Sequence, residues 1–533
     1  MRGTERQTMA GNADAVQRSL NINAKLGPRL EAAAQQKAIL RIGWTNAGDP
    51  VPKNGELGLC PGLPQGARIR ALGVLGSWVA AFGMGGSFTL QGDAGGFLGA
   101  GNNGTSIRCE QLAGDYVGFR MVDGDITVLE GVGHDAGAMM QGGRLVVRGP
   151  AGARVGGGMS DGLIVIHGDV GPDPGAGMAG GLIVVNGRCP SPPPGVMLRP
   201  LNAKEVKQIN SDIGDESMHV PSDAVCLCAG PHATEVEGMG RMVSAGDLSS
   251  VGLTSHTQAA LPTYATVDTV ALVGNTDDVN ALALPMPMIP HLPPGLERSS
   301  AEPSDTATGV MDRHPMLVHA SPRNVDILVA DEDNLSTLAK ELPHSGGIAI
   351  DLDRLPAMTP EQLDGLLVAM KSLAQERAPT ALIQGIGRVQ SLHRSSVHHG
   401  VHLALARIED GSGISEAAAL PLIGRSSKEH LTGSSTQCGA LLGFAATGHD
   451  LAVLLASGVG VVASEVPMAD AEDVALWLSG TQTDLADELR RIGVASVDLL
   501  QRHHLRALDT ETAAVSGLRL AGYGRPLPHW FAR

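Results

Sequence analysis

The chain has 533 residues, 71 of them glycine, with 2% aromatics and a formal charge of −16. Its length suits about two to four domains, with cores drawn from Val, Leu, Ile, Ala and Met. The acidic balance and the lack of a basic block argue against nucleic acid or an anionic membrane as partner.

No apolar run reaches the roughly 18 residues that a membrane span requires. Met1 to Ser19 are polar and lack the apolar stretch of a secretory signal. Cysteines at 60, 109, 189, 226, 228 and 438 are scattered like reduced cytosolic thiols, not like a disulfide framework. A soluble, cytoplasmic protein is expected.

Residues 1–67 read as a helical and extended segment, with one or two short helices within Ala15 to Leu40. Beyond it, Gly99, Gly118, Gly137, Gly156 and Gly175 recur every nineteen residues, and Met121, Met140, Met159 and Met178 keep the same step. The apolar runs Ile126 to Leu129, Leu145 to Val147, Leu163 to Ile166 and Leu182 to Val185 lie between them. A strand plus glycine corners at fixed period predicts a right-handed parallel β-helix over 68–190, of roughly six coils. Glycine supplies the positive φ such corners need, and the methionines read as core filler.

Cys189 to Pro194 contains three consecutive prolines, which are expected to end strand addition. Residues 191–315 then read as a Pro/Ser-rich connection with short elements. These include a helix capped by Asn202, a strand-like run at Ser222 to Ala229, and a long connection from Thr254 to Gly309. Cys226 and Cys228 would share one strand face and, without a second pair, read as buried thiols.

From 316 to 533 the pattern alternates. Strands are predicted at Val325 to Val329, Ile348 to Leu352, Ala381 to Gln384, Val401 to Ile408 and Val459 to Val462. Helices are predicted at Thr359 to Ala374, with Thr359 as cap and Pro360 at the first turn, and at Ala471 to Leu478 and Thr483 to Ile492. Alternating β and α units imply a parallel sheet or barrel working at its C-terminal strand ends.

Three local groups carry chemistry. His393, His398, His399 and His402 fall between two strands, and the 398/402 spacing suits paired ligands on a helix. No glutamate completes such a motif, so a polar loop is the simpler reading and no metal is expected. Gly385-Ile386-Gly387 with Arg388 is either a β-to-α turn or an anion cradle. Glu409 precedes Asp410, Gly411, Ser412 and Gly413 at a strand's C-terminal end, as a ligand-binding loop or a turn cap.

The repeat over Gly73 to Gly187 resembles the glycine-rich β-helix domain shared by glutamate synthase and one of the subunits of formylmethanofuran dehydrogenase. The later half is similar to the FMN-binding barrel of glutamate synthase at Ser321 to Ile327, Asp331 to Leu335, Glu409 to Gly413 and Val494 to Leu500. The resemblance implies a β-helix followed by a degenerate (β/α) TIM-like barrel, in a multidomain β plus α/β chain.

That family binds FMN, holds an iron–sulfur cluster and condenses ammonia with 2-oxoglutarate. Here no cysteine follows Val462 and Cys438 stands alone, so no iron–sulfur cluster is expected. Thr380 to Gly385 lacks the family's lysine, and Ser464 to Asp470 puts Glu465, Pro467 and Asp470 where its glycine-rich phosphate loop would lie. Met1 is followed by Arg2 and the first cysteine is Cys60, so any glutaminase would be a separate subunit.

The expectation is therefore a scaffold or ligand-binding subunit of a complex in glutamate or one-carbon metabolism. It would have no cofactor of its own, and the solenoid's flat sides would dock partner subunits. The alternative is an FMN-dependent glutamate-synthase-type oxidoreductase that transfers an amino group to a 2-oxo acid.

Overall fold

The structure, a computed structural model, describes residues 2–43, 51–230, 246–255, 262–271, 282–296, 304–374, 380–468 and 470–523. The chain divides into two compact units. One comprises Met1–Glu237, Glu332–Pro343 and Met358–Glu376; the other comprises Gly238–Asp331, His344–Ala357 and Arg377–Arg533.

The first unit opens with α1 (Arg2–Gln36), one helix that continues through Pro28 where one or two short helices are expected. A ten-stranded sheet follows. Its strands are β1 (Ile39–Ile42), β2 (Arg68–Leu72), β3 (Ser87–Gln91), β4 (Asn103–Cys109), β5 (Asp123–Val128), β6 (Gln141–Val147), β7 (Asp161–Ile166), β8 (Leu182–Val185), β9 (Val196–Pro200) and β10 (Val225–Ala229). From β1 to β8 each strand pairs in parallel with the next in the chain. The nineteen-residue step is the register itself: Phe88 opposes Ile107, Ile107 opposes Ile126, and Leu145 opposes Ile164. A second column of parallel bridges joins Ala94, Ala113, Val132, Ala151 and Val170.

Stacking buries one continuous row of side chains, in which Ile107, Ile126, Leu145, Ile164 and Ile183 line up with Met121, Met140, Met159 and Met178. The repeat glycines take positive φ, between 64° and 73°. A Cβ at Gly99 would stand 2.7 Å from the Cδ1 atoms of Ile107 and Ile126, so the corner has no room for a side chain.

Glycine is not the rule at every corner. Trp78, Phe97, Tyr116, Asp135, Arg154 and Asp173, also nineteen apart, all adopt φ of 56° to 61°. Contacts between neighbours in the column offset the strain at five of the six: three rings stack and two side chains pair as ions. Trp78 lies on Phe97 (4.5 Å, 4°), and Phe97 lies on Tyr116 (4.8 Å, 6°). Asp135 pairs with Arg154 at 2.8 Å.

The prolines of 190–194 do not close the sheet. β10 returns antiparallel onto β8, and β9 pairs on its far side. Between them, α2 (Ala203–Ile213) starts at Asn202 with a capping box to Glu205. Ile209 and Met218 cover the outward valines Val146, Val165 and Val184.

The second unit holds β11 (Val251–Leu253), β12 (Thr269–Ala271) and β13 (Leu282–Leu284), then a closed eight-stranded barrel. The barrel strands are β14 (Met288–His291), β15 (Leu317–Val318), β16 (Ile327–Ala330), β17 (Gly347–Asp351), β18 (Thr380–Gly385), β19 (Leu403–Arg407), β20 (Gln437–Leu442) and β21 (Val461–Glu465); β22 (Leu505–Ala507) lies outside it. Every barrel pairing is parallel, and β14 closes on β21.

In chain order the remaining helices are α3 (Asp305–Met311), α4 (Leu338–Glu341), α5 (Pro360–Leu373), α6 (Val389–His398), α7 (Glu416–His430), α8 (Gly448–Ala456), α9 (Ala471–Arg491) and α10 (Thr510–Ser516). No helix separates β15 from β16. In its place Arg323 and Asp326 brace the connection with a two-pronged pair at 2.8 and 3.0 Å. The barrel begins at Met288, inside the stretch expected to be a connection, because Pro287 and Pro290 disguise a four-residue strand as a loop. The two helices expected over 471–492 are one, since Gly480 is tolerated within α9.

Candidate functional site at the barrel mouth

Alternate residues of a strand share a face. Inside the barrel that face is apolar: Ile289, Leu317, Val329, Ala349, Ile383, Leu405, Leu441 and Ala463 form one cluster. One inward step further, at the C-terminal end of the same strands, stand His291, His319, Asp331, Asp351, Gly385, Arg407, Gly443 and Glu465. Six of these eight positions are ionisable, and the other two are glycine. Aliphatic packing gives way to charge in a single layer.

Around the ring, Asp331 is 1% exposed and lies 2.7 Å from His319 Nδ1 and 3.3 Å from the Arg354 guanidinium. An ionised carboxylate only accepts, so His319 holds its proton on Nδ1 and keeps Nε2 basic. That Nε2 is 3.2 Å from Nε2 of His291, which donates to it. Burial, reinforced by His319 and Arg407, pushes His291 down to about 3, so it is a neutral imidazole at ordinary pH. Its Nδ1 has no partner among the described residues.

Across the ring, Arg407 donates to Asp351 and, at 2.9 Å, to Asp353, which also accepts from Arg388 at 2.9 Å. Burial lifts Asp353 above the usual carboxylate range against the pull of Arg407. Glu465 is raised as well, by burial first and by the neighbouring Glu409 second. In register it stands beside His291.

The two glycines make room for two further carboxylates. A Cβ on Gly385 would sit 2.6 Å from Asp410 Oδ2, and one on Gly443 would sit 2.6 Å from Glu409 Oε2. Asp410 accepts from the N–H groups of Gly387 (2.9 Å) and Ser412 (2.8 Å). Burial works against its ionisation, yet these bonds hold it below the usual range.

The loop singled out in the sequence therefore divides. Glu409 and Asp410 enter the mouth, and Gly411 and Gly413 supply turns at φ 76° and 78°. Gly413 lines a separate cavity of about 730 Å³ between α7 and α10. The Gly385–Arg388 turn is filled by the protein's own carboxylates, Asp410 and Asp353.

The histidine cluster disperses. His393 is buried in α6 with its Nδ1 2.8 Å from Ser426 Oγ, and His402 accepts from the Thr380 N–H at 3.1 Å. His398 and His399 meet edge to face at 4.7 Å. On β10, Cys226 is buried and Cys228 half-buried. Sequence reasoning missed His291, His319, Asp351 and Arg407. For Asp351 and Arg407 the signal was available, because each lies two residues beyond an inward apolar position of a predicted strand.

No protein-family model matches the sequence, and no curated protein matches it. Among solved structures, the flavin-binding domain of baker's yeast flavocytochrome b2 aligns with a TM-score of 0.34 at 11% identity, over 53% of this chain and 81% of that one. A mandelate oxidase mutant with a C4a-OH-FMN adduct gives 0.35 at 13%, over 48% and 87%. The monotopic membrane protein (S)-mandelate dehydrogenase gives 0.32 at 9%, over 49% and 89%. None of these three is a glutamate synthase or a formylmethanofuran dehydrogenase.

An FMN phosphate can be tested against the two helices that follow the last barrel strands. Thr447 and Asp450 already cap α8 with a reciprocal box, and Asp470 caps α9. Glu465 ends the strand between them. A phosphate there would be met by the Asp450, Glu465 and Asp470 carboxylates, whose charge repels it, so these residues do not fit it. No helix of the described residues is long and apolar enough to cross a membrane.

Proposed function

We propose that the barrel unit is an enzyme that moves protons at its C-terminal mouth on a small substrate bearing a positively charged nitrogen. The observation that carries this reading is the chain Asp331–His319–His291, set in a layer where the barrel's apolar filling is replaced by ionisable groups. Asp331 fixes the tautomer in which His319 Nε2 is an acceptor, so a substrate proton would replace the His291 N–H it now accepts, the role of a general base. Glu465, held toward its neutral form by burial and Glu409, supplies the acid. Apart from Glu465, the ionisable groups at the mouth still favour a cation: Asp331, Asp351, Asp353, Glu409 and Asp410 outnumber Arg354, Arg388 and Arg407, each of which is paired with an aspartate. A mouth furnished this way speaks for catalysis over a purely scaffolding role. The stacked unit we read as turns of a right-handed parallel β-helix, in keeping with its nineteen-residue register.

The test is solvent-deuterium wash-in, read by mass spectrometry, over a panel of small amines and 2-oxo acids. Wash-in with an amine, lost in His319→Gln and in Asp331→Asn, is the expected result. Exchange that survives both substitutions, or that occurs only with 2-oxo acids, would overturn the proposal. The glutamate-synthase-type oxidoreductase is the competing activity, and its mark would be a flavin absorbance spectrum with FMN released near one per chain.

A further inference from the structure

The opposite end of the same unit carries a cavity of different character. The C-terminal half of α7, the C-terminus of α8 and the segment at 500–502 border an open cavity of about 580 Å³ at the N-terminal ends of the barrel strands. Its lining includes Arg425, Lys428 and Arg502, together with Ser427, Ser457 and Gly458, and no carboxylate. Among the described residues no acid pairs with any of the three cations. In a chain of net charge −16 this is unusual, since acidic partners are abundant. Arg502 is anchored by one bond, Nη2 to the Ser516 carbonyl at 2.8 Å, which leaves the rest of its fork open.

We propose that this cavity binds a multiply charged phosphate, held by Arg425, Lys428 and Arg502 and distinct from the acidic mouth. Guanidinium forks match phosphate oxygens two at a time, and the ammonium adds a mobile third donor. Burial, and after it the repulsion of Arg425, lowers Arg502 from its ordinary value; a dianion between the two arginines would relieve that repulsion.

The competing explanation is that these cations answer only the partial negative charge at the ends of α7 and α8. Calorimetric titration of the full chain with inorganic pyrophosphate at low salt separates the two. Binding is expected, weakened about tenfold in Arg425→Gln by the loss of one charge-assisted contact, and weakened similarly in Lys428→Gln. Arg490→Gln, which removes an exposed cation paired with Asp487, should bind as the parent does. No heat of binding, or equal weakening in Arg490→Gln, overturns the proposal, as does a fall in thermal midpoint in Arg425→Gln with pyrophosphate affinity unchanged. The amine-dependent exchange at the mouth should survive Arg425→Gln, so the two sites fail or stand separately.

Discussion

His291 and His319 face each other through their Nε2 atoms at 3.2 Å, and only His319 has a carboxylate behind it. The pair is therefore polarised: one imidazole is oriented by Asp331, and the other is buried and neutral. In Asp331→Asn the amide can present its NH2 group to Nδ1, which favours the opposite His319 tautomer. Long-range ¹⁵N–¹H correlation spectra should show His319 protonated on Nδ1 in the parent and on Nε2 in the variant. An unchanged tautomer would remove Asp331 from the role assigned to it.

Arg407 links the ends of β19 and β17 through Asp351, which is 1% exposed, and through Asp353. Removing the guanidinium strands a buried carboxylate, which costs about 3–5 kcal/mol. Arg407→Met should lower the urea midpoint by that order, and adding Asp351→Asn should recover part of the loss. If the double variant is no better than the single one, the pair is not the source of the stability.

Gly385 and Gly443 are the notches through which Asp410 and Glu409 reach the mouth. Gly385→Ala drives a methyl into Asp410, so the loop must lift and lose its bond to the Gly387 N–H. A loss of about 1–3 kcal/mol is expected, with faster hydrogen exchange at the Gly387 and Ser412 amides. Exchange unaltered at both amides would mean the notch is not needed.

The sequence made some elements plain and hid others for definite reasons. The nineteen-residue register was readable because each strand repeats the constraint of the one before it, and Thr359 and Asn202 announce their helices by local hydrogen bonding. β14 and β20 were invisible: one is flanked and interrupted by proline, and the other carries Gly439 against the side chains of Leu403 and Leu405. The mouth was hidden for a related reason. His291 and His319 belong to strands too short to show alternation, so nothing local marks them as inward. Glu409 and Asp410 were singled out because a family-like loop carried them, yet where they lie depends on glycines far away in the chain.

The column from Trp78 to Asp173 places six non-glycine residues at positive φ, each of them disfavoured if considered alone. Phe97 sits between Trp78 and Tyr116 and touches both rings. Phe97→Ala leaves the strain and removes the stacking, so a loss of about 3–5 kcal/mol is expected. Phe97→Gly relieves the strained φ while making the same hole, and should be the less damaging of the two. Calorimetry of both variants checks the order; a reversed order would mean that the positive φ carries no strain.

Acid should weaken the barrel unit well above the range in which carboxylates titrate. Burial lowers three of its histidines: His291 to about 3, His314 to about 4 and His393 to about 4. In the unfolded chain all three take up protons near 6.5, the ordinary value. Between pH 6.5 and 4 the unfolded state therefore binds more protons, so stability falls as pH falls through that window. With all three contributing, the slope approaches about 4 kcal/mol per pH unit. Glu465 and Asp353, raised by burial, act with the opposite sign and temper it, because their neutral forms favour the fold as pH drops. Urea midpoints from pH 7 to pH 4 should decline steadily. His393→Asn, which keeps a polar group for Ser426 but cannot take a proton, should flatten that decline by about one third. Midpoints that hold level across the window would show that these imidazoles are not buried as described.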